Sequence, residues 1–340
     1  MTSNNSSDFN NSYLSGQDIA FAVIYSFIVI IGVPANCIII TIVRKTPSMH
    51  TTTNYLLMNL AVADLATLSL CPGMYDFTLN KVRLRKTLGD FLCKLFVGNA
   101  LSPITINVGA LTVCTIAVER YLAMVKPFHT GLRLTKRRVP YVVAFLWVSA
   151  VLSCIPDFMT NTVNTNPLST YPCTRPWSLD EYFHHKAYII YTGIFFGLIP
   201  CLIVVFCYFE IFRGLFITRT IFATSAERPS SLALEDQRSK KQLLKLAASI
   251  TILFIVCTLP FSLYFIYLSV IDITTVADNR ELLYFAHRMV RLLLNANSFF
   301  NPLIYAFQSS NYRMGFKRIF CCKVFKEQRN DKFMELCLRD

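Results

Sequence analysis

The chain has 340 residues, of which 54% are hydrophobic and 16% charged, with a net charge of +13 and a mean hydropathy of +0.46. A soluble globular domain carries about 25% charged residues, so a large soluble core is excluded. Stretches such as "FAVIYSFIVIIGVPANCIIITIV" are apolar on every face, whereas a helix at the surface of a soluble core needs a charged outer stripe. The predicted fold class is an all-α membrane protein, a seven-transmembrane helix bundle followed by a short amphipathic eighth helix.

Seven apolar stretches of bilayer-spanning length, about 20 residues or more, fall at approximately 19–43, 53–78, 91–123, 140–160, 187–212, 243–271 and 284–307. They divide the chain into an N-terminal arm (1–18), a bundle (19–308), a membrane-surface helix (309–322) and a tail (323–340). No Lys or Arg precedes the first stretch, so it lacks the basic flank of a signal peptide and is read as a retained span. With the N-terminus outside, 22 basic residues fall on the cytoplasmic side and 9 toward the other, with Lys94 and Arg120 inside spans. That split follows the positive-inside bias. The positive charge therefore reports topology and implies no nucleic-acid partner. Asn4, Asn5 and Asn10 each open an N-x-Ser acceptor pattern, which has meaning only on an extracellular arm. This predicts a multi-pass protein of the plasma membrane with its N-terminus extracellular.

Polar residues inside the spans carry the functional signal, because ionisable groups in a bilayer are costly. Asn36 lies in the first span. Asp64, in the second, sits roughly 17 Å from the start of its span, near the bilayer centre. Asn297, Ser298 and Asn301 share one face of the seventh at i,i+3 and i,i+4 spacing. Together they predict a chamber of oxygen ligands for water or a hard monovalent cation, or else a hydrogen-bonded cluster that only joins helices. Glu119, Arg120 and Tyr121 close the third span. They form either an interfacial ion pair or an arginine held until another partner replaces its neighbour. Pro200, Pro260 and Pro302 interrupt the fifth, sixth and seventh spans, predicting kinks and a bundle able to change shape. Cys93 and Cys173 both fall on the predicted outer side, where oxidising conditions favour a disulfide between them; sequence alone does not prove the pairing. No catalytic triad, metal-ligand spacing or glycine-rich phosphate loop stands at a membrane boundary, so an enzyme is not predicted.

Over residues 19–322 the chain resembles the rhodopsin-like (class A) G-protein-coupled receptors. The resemblance rests on "GVPAN" (32–36), "LAVAD" (60–64), Cys93 with Cys173, "ERY" (119–121), Trp147, Pro200 with Tyr208, "FIVCTLP" (254–260) and "NPLIY" (301–305). It implies a sodium and water pocket at Asn36, Asp64, Asn297, Ser298 and Asn301, with sodium as an allosteric ligand and no other cofactor. It implies that Arg120 contacts a heterotrimeric G protein with Glu119 as its resting partner. It also implies that Tyr208 and Tyr305 swing inward on activation and that Phe254 and Pro260 form the pivot of the sixth helix. Arrestin and a receptor kinase follow as further partners, besides the lipid bilayer. The segment "SSNYRMGFKRIF" (309–320) resembles the surface helix of the family, with Tyr312, Phe316, Ile319 and Phe320 toward the membrane. Cys321 and Cys322 then resemble palmitoylation sites. Three departures stand out. Thr258 replaces the usual tryptophan, Gly109 the usual serine of the sodium pocket, and Lys240 an acid that some members place opposite the Arg120 position.

The ligand is read from the outer half. Ser102 falls where amine receptors place an aspartate, and Asn295 where opsins carry the retinal lysine, which argues against both ligand classes. The polar loop at roughly 161–186 and the "AVERYLAMVKPF" segment favour an extracellular peptide, as in the neuropeptide receptors. The expected pocket includes Ser102, Thr258, His287, Arg288 and Arg291. The basic groups suit an anionic ligand group, so a receptor for a small anionic lipid or metabolite is the second reading. A transporter or channel ranks below both, since no inverted repeat is visible.

Overall fold

The computed structural model describes residues 16–70, 89–91, 93–94, 101–129, 131, 133–160, 163, 182–214 and 231–327. Its long helices are α1 (Gly16–Lys45), α2 (Thr52–Ser69), α3 (Leu101–Met124) and α4 (Val139–Ser153). In α5, two α-helical stretches, Tyr182–Thr192 and Ile199–Phe212, flank a π-helical turn, Gly193–Leu198. Then follow α6 (Ser231–Val270), α7 (Arg280–Gln308) and α8 (Ser310–Glu327). Among the described residues, four helices are long and apolar enough to cross a membrane: Gly16–Lys45, Leu101–Met124, Lys186–Phe212 and Leu244–Val270. Thr52–Ser69 and Arg280–Gln308 complete the bundle with more polar sequences, and Val139–Ser153 is a shorter apolar helix.

Local chemistry sets the element ends. Thr51 caps α2, its hydroxyl accepting from Asn54 N at 3.2 Å, and Asn54 Nδ2 donates to Met49 O at 2.9 Å. These bonds fix the short connection from α1, which holds a 3₁₀ turn at Pro47–Met49. The apolar stretch expected to run to 78 ends its helix at Ser69, with 71–78 outside the described residues. The fourth stretch breaks at Cys154 into α4 and a short helix, Ile155–Thr160. In α5 the π turn immediately precedes Pro200, whose ring crowds the carbonyl four residues back and whose nitrogen donates nothing. A wider turn relieves both. Ser309 adopts extended backbone and ends α7, and Arg313 Nη1 then caps Phe307 O at 2.8 Å. The surface helix continues past the expected 322 to Glu327.

Packing follows chain order around a ring: α1 on α2 and α7, α2 on α3, α3 on α4 and α5, and α6 along α7. The largest core lies between α1, α2, α3, α5, α6 and α7, around Ile39, Leu57, Leu60, Ile116, Phe254 and Tyr305. A smaller cluster joins α5, α6 and α7 through Ile189, Phe265, Leu268 and Leu283. Large apolar side chains also point outward, among them Ile30 at 71% and Phe206 at 56% exposed. Such a surface needs lipid around it. Polar clasps between helices help to knit the bundle. Asn59 of α2 donates to Thr112 Oγ1 of α3 at 2.9 Å and accepts from Trp147 Nε1 of α4 at 3.1 Å. The Thr67 and Thr105 hydroxyls, on α2 and α3, lie 2.7 Å apart. Arg288 of α7 reaches Asp18 of α1 at 2.7 Å, its guanidinium 4.1 Å from the Phe21 ring centre. Finally, α8 docks on α1 at Gly315, where a Cβ would stand 2.5 Å from Ile42 Cγ2; only glycine permits that approach.

Candidate functional site, a polar chamber above a caged arginine

The chamber expected from sequence assembles in the middle of the bundle. Asp64 on α2 is 3% exposed and accepts from Asn301 Nδ2 of α7 at 2.7 Å, with Ser298 also a hydrogen-bonding neighbour of its carboxyl. Asn36 on α1 donates from Nδ2 to Gly32 O in its own helix and to Ser298 O across the bundle, both at 3.0 Å. Thus α2 and α7 meet at the carboxylate, and α1 joins them through the Ser298 carbonyl. The amide oxygens of Asn36, Asn297 and Asn301 are buried with no hydrogen-bond partner. Buried acceptors without donors are costly, so the Asp64 carboxylate with the Asn36 and Asn301 amide oxygens fits water or a small cation and does not suit an apolar occupant. Gly109 of α3 brings no oxygen. A Cβ there would meet only Leu60 Cδ1, at 3.8 Å, an ordinary contact.

That space gives a direct expectation. Gly109→Ala should raise stability by about 0.5–1 kcal/mol, the usual cost of glycine within a helix, read as a higher Tm in detergent. Gly109→Ser should keep the gain and make Tm respond more strongly to sodium than in the parent. A lower Tm for the alanine variant would show that the space is not there.

At the other end of α3, Arg120 is 8% exposed. Its Nε and Nη2 grip Glu119 Oε2 and Oε1 at 2.6 and 2.8 Å, and Nη2 also donates to Thr53 Oγ1 at 2.5 Å. Thr53 in turn donates to Glu119 Oε2 at 3.3 Å. The paired acid was legible in the sequence; Thr53 was not, because which of Thr51, Thr52 and Thr53 faces inward depends on how α2 meets α3. The other residues expected to switch lie on α3, α5, α6 and α7. Tyr121 is half-buried, its ring 6.0 Å from Phe206. Tyr208 on α5 turns a buried hydroxyl toward Thr251 of α6 and neighbours the Arg120–Glu119 pair. Tyr305 is fully buried, stacks on Tyr312 of α8 at 5.3 Å, and also has an unpartnered hydroxyl. Phe254 is 3% exposed in the central core, and Pro260 and Pro302 lie inside α6 and α7.

The outer residues separate into different environments. Ser102 is fully buried with an unpartnered hydroxyl, and Thr258 is 5% exposed. His287 lies edge-on to Tyr264 and Phe265 at 5.8 and 5.7 Å. Arg288, expected in the ligand pocket, pairs with Asp18 of α1. Arg291, half-buried one turn further in, offers its carbonyl to Asn295 Nδ2 at 2.8 Å. Cys93 is buried and disulfide-bonded. Its expected partner Cys173 lies outside the described residues, as do Asn4, Asn5, Asn10 and the side chains of Lys240, Cys321 and Cys322.

Sequence reasoning passed over Asn59, Thr67 and Thr112, the polar residues that join α2 to α3 and α4. Their signal was the same as that of Asp64, a hydrogen-bonding group in an apolar field, but weaker because a neutral group costs less to bury. It also missed Asp157, fully buried beyond α4 and accepting from Tyr188 Oη of α5 at 2.7 Å.

The chain is a multi-pass helical membrane protein. Residues 35–305 match the family model of the 7 transmembrane receptor (rhodopsin family), and the chain belongs to that family, whose members are receptors and not enzymes. It is 28% identical over 316 residues to the Tachykinin-like peptides receptor 86C of Drosophila melanogaster, covering 90% of this chain and 59% of that relative. It is 26% identical over 311 residues to Galanin receptor type 1 of Rattus norvegicus, covering 90% and 83%. A GQ-coupled rhodopsin of Mizuhopecten yessoensis is also 26% identical, over 313 residues, covering 88% and 60%. The chain thus spans about 60% of the length of the fly and mollusc relatives.

Proposed function

We propose that this chain is a plasma-membrane receptor, N-terminus outside, that binds an extracellular peptide and in response activates a heterotrimeric G protein. The caged Arg120 carries the reading. A guanidinium buried at the end of α3, held by two partners that another group could replace, is a switch in its closed position. Ligand at the outer face favours the ensemble in which the inner end of α6 swings outward. This frees Arg120, Tyr208 and Tyr305 to line a cleft for the G protein, and arrestin and a receptor kinase would use the same face. Peptide is favoured over retinal because Asn295 carries no amine for a Schiff base, and because relatives named for tachykinin-like peptides and galanin match most of the chain. A screen of peptides on cells expressing the chain, with calcium and cyclic AMP read together, tests this. Silence to every peptide with a response to lipids or acids would overturn the peptide assignment.

Sodium in the Asp64 chamber is supported by the unpartnered amide oxygens of Asn36 and Asn301, and would stabilise the closed ensemble. The second ligand reading, an anionic group, rests on Arg291. With Arg288 occupied by Asp18, Arg291 is the basic group of α7 that lies deeper along the helix. Arg291→Met should weaken an acidic agonist at least tenfold more than its neutral analogue in a concentration–response assay. Equal losses for the two would exclude this contact.

A further inference from the structure

On the inner side, α6 meets the elbow between α7 and α8 through two pairs of neutral side chains. Gln308, the last residue of α7, donates from Nε2 to Ser249 Oγ at 2.7 Å, and that hydroxyl lies 3.0 Å from Gln308 Oε1. Ser310, the first residue of α8, donates to Gln242 Oε1 at 3.3 Å. Gln242 and Ser249 are seven residues apart on α6, two turns along one stripe, with Leu246 buried between them. The pairs use the same chemistry in opposite order, serine on α6 to glutamine on α7, then glutamine on α6 to serine on α8.

The Arg120 cage does not restrain α6. Glu119 belongs to α3, as Arg120 does, and Thr53 to α2, so the cage ties α3 to α2 through the Thr53 hydroxyl. The inner end of α6 is held in another way. We propose that Ser249 with Gln308, and Gln242 with Ser310, are positioning residues that latch α6 to the α7–α8 elbow in the resting receptor and must part for the inner face to open. This rests on the reading of the chain as a receptor whose α6 moves outward.

The chemistry sets the strength of such a latch. A neutral side-chain pair shifts a two-state equilibrium by about three- to tenfold, because its partners bond to water once parted. The half-buried Ser249–Gln308 pair belongs in that range, and the longer, exposed Gln242–Ser310 contact below it, at about twofold. The latch is therefore a weak, reversible restraint, and losing it raises ligand-independent activity without touching the ligand pocket.

The test uses Ser249→Ala, Gln308→Ala and their combination in the full-length receptor, with two readouts. One is an environment-sensitive thiol probe on Lys245→Cys, an exposed position of α6, followed in detergent without G protein. The other is basal GTP exchange on a purified G protein. Each single variant should shift the probe and raise basal exchange about three- to tenfold. The double should exceed neither, because a shared contact can be lost only once. Ser249→Thr keeps the hydroxyl and should behave as the parent. Parent-like single variants, or effects that add in the double, would overturn the latch. A probe shift with the expected non-additivity, but no exchange from any variant or the parent, would support the latch and reject the coupling reading instead.

Discussion

Arg120→Ala should abolish G-protein activation and also destabilise the receptor. The guanidinium and the Glu119 carboxylate are 10% and 11% exposed as side chains, so removing one leaves the other almost buried and unpaired. Breaking a buried pair in this way costs about 3–5 kcal/mol, against a total stability near 5–15 kcal/mol for a typical domain. Surface expression should fall and the Tm in detergent should drop by several degrees. Glu119→Gln separates the two effects. It keeps a hydrogen-bond acceptor for Arg120 but removes the charge, so folding survives while the cage weakens. Basal GTP exchange should then rise, where Arg120→Ala gives none. If Glu119→Gln lowered basal exchange instead, the pair would be a structural strut and not a restraint on signalling.

The second large effect belongs to the chamber. Asp64→Ala removes the acceptor for Asn301 Nδ2, now bonded at 2.7 Å, in a site where no bulk water replaces it. A buried donor left unpartnered costs about 1–3 kcal/mol, and agonist-driven exchange should fall with it, because Asn301 stands between the chamber and Tyr305. Any dependence of Tm on sodium should disappear. The reciprocal exchange, Asp64→Asn with Asn301→Asp, returns one carboxylate and one amide to the same gap. It should recover part of the lost activity, whereas Asp64→Asn alone should not. Equal activity of the single and double variants would show that the α2–α7 contact is not what matters.

Much of the central site could be read before any coordinates, for a physical reason. A carboxylate or a run of amides in an apolar span is expensive unless it is partnered, so Asp64, Asn36, Asn297, Ser298 and Asn301 marked one another, and helical spacing placed three of them on one face. Glu119 and Arg120 were adjacent and of opposite sign. What stayed hidden lacked such tension. Ser249, Gln242, Gln308 and Ser310 lie near the membrane surface, where water satisfies them equally well, so nothing in the sequence distinguishes a latch from a solvated edge. Asp18 and Arg288 are 270 positions apart, and each alone reads as a charge at a helix end. The ligand pocket was expected to hold both Arg288 and Arg291, and the pairing of the first with Asp18 of α1 could not be read from either residue alone. Helix existence was legible from hydrophobicity, while the breaks at Ser69 and Cys154 came from packing and local backbone chemistry.

The π turn at Gly193–Leu198 has a mechanical meaning. A π turn takes in one residue more than an α turn, and each residue of an α-helix advances its azimuth by about 100°. The outer stretch of α5, which carries Tyr188 and Thr192, is therefore phased independently of the inner stretch, which carries Tyr208. Winding that turn into regular helix would swing one half relative to the other by about that angle and carry Tyr208 off its present bearing. On the receptor reading proposed above, the joint would act as a coupling sleeve between two shafts, letting the outer half be reshaped for a new ligand while the inner half keeps its alignment toward the G protein.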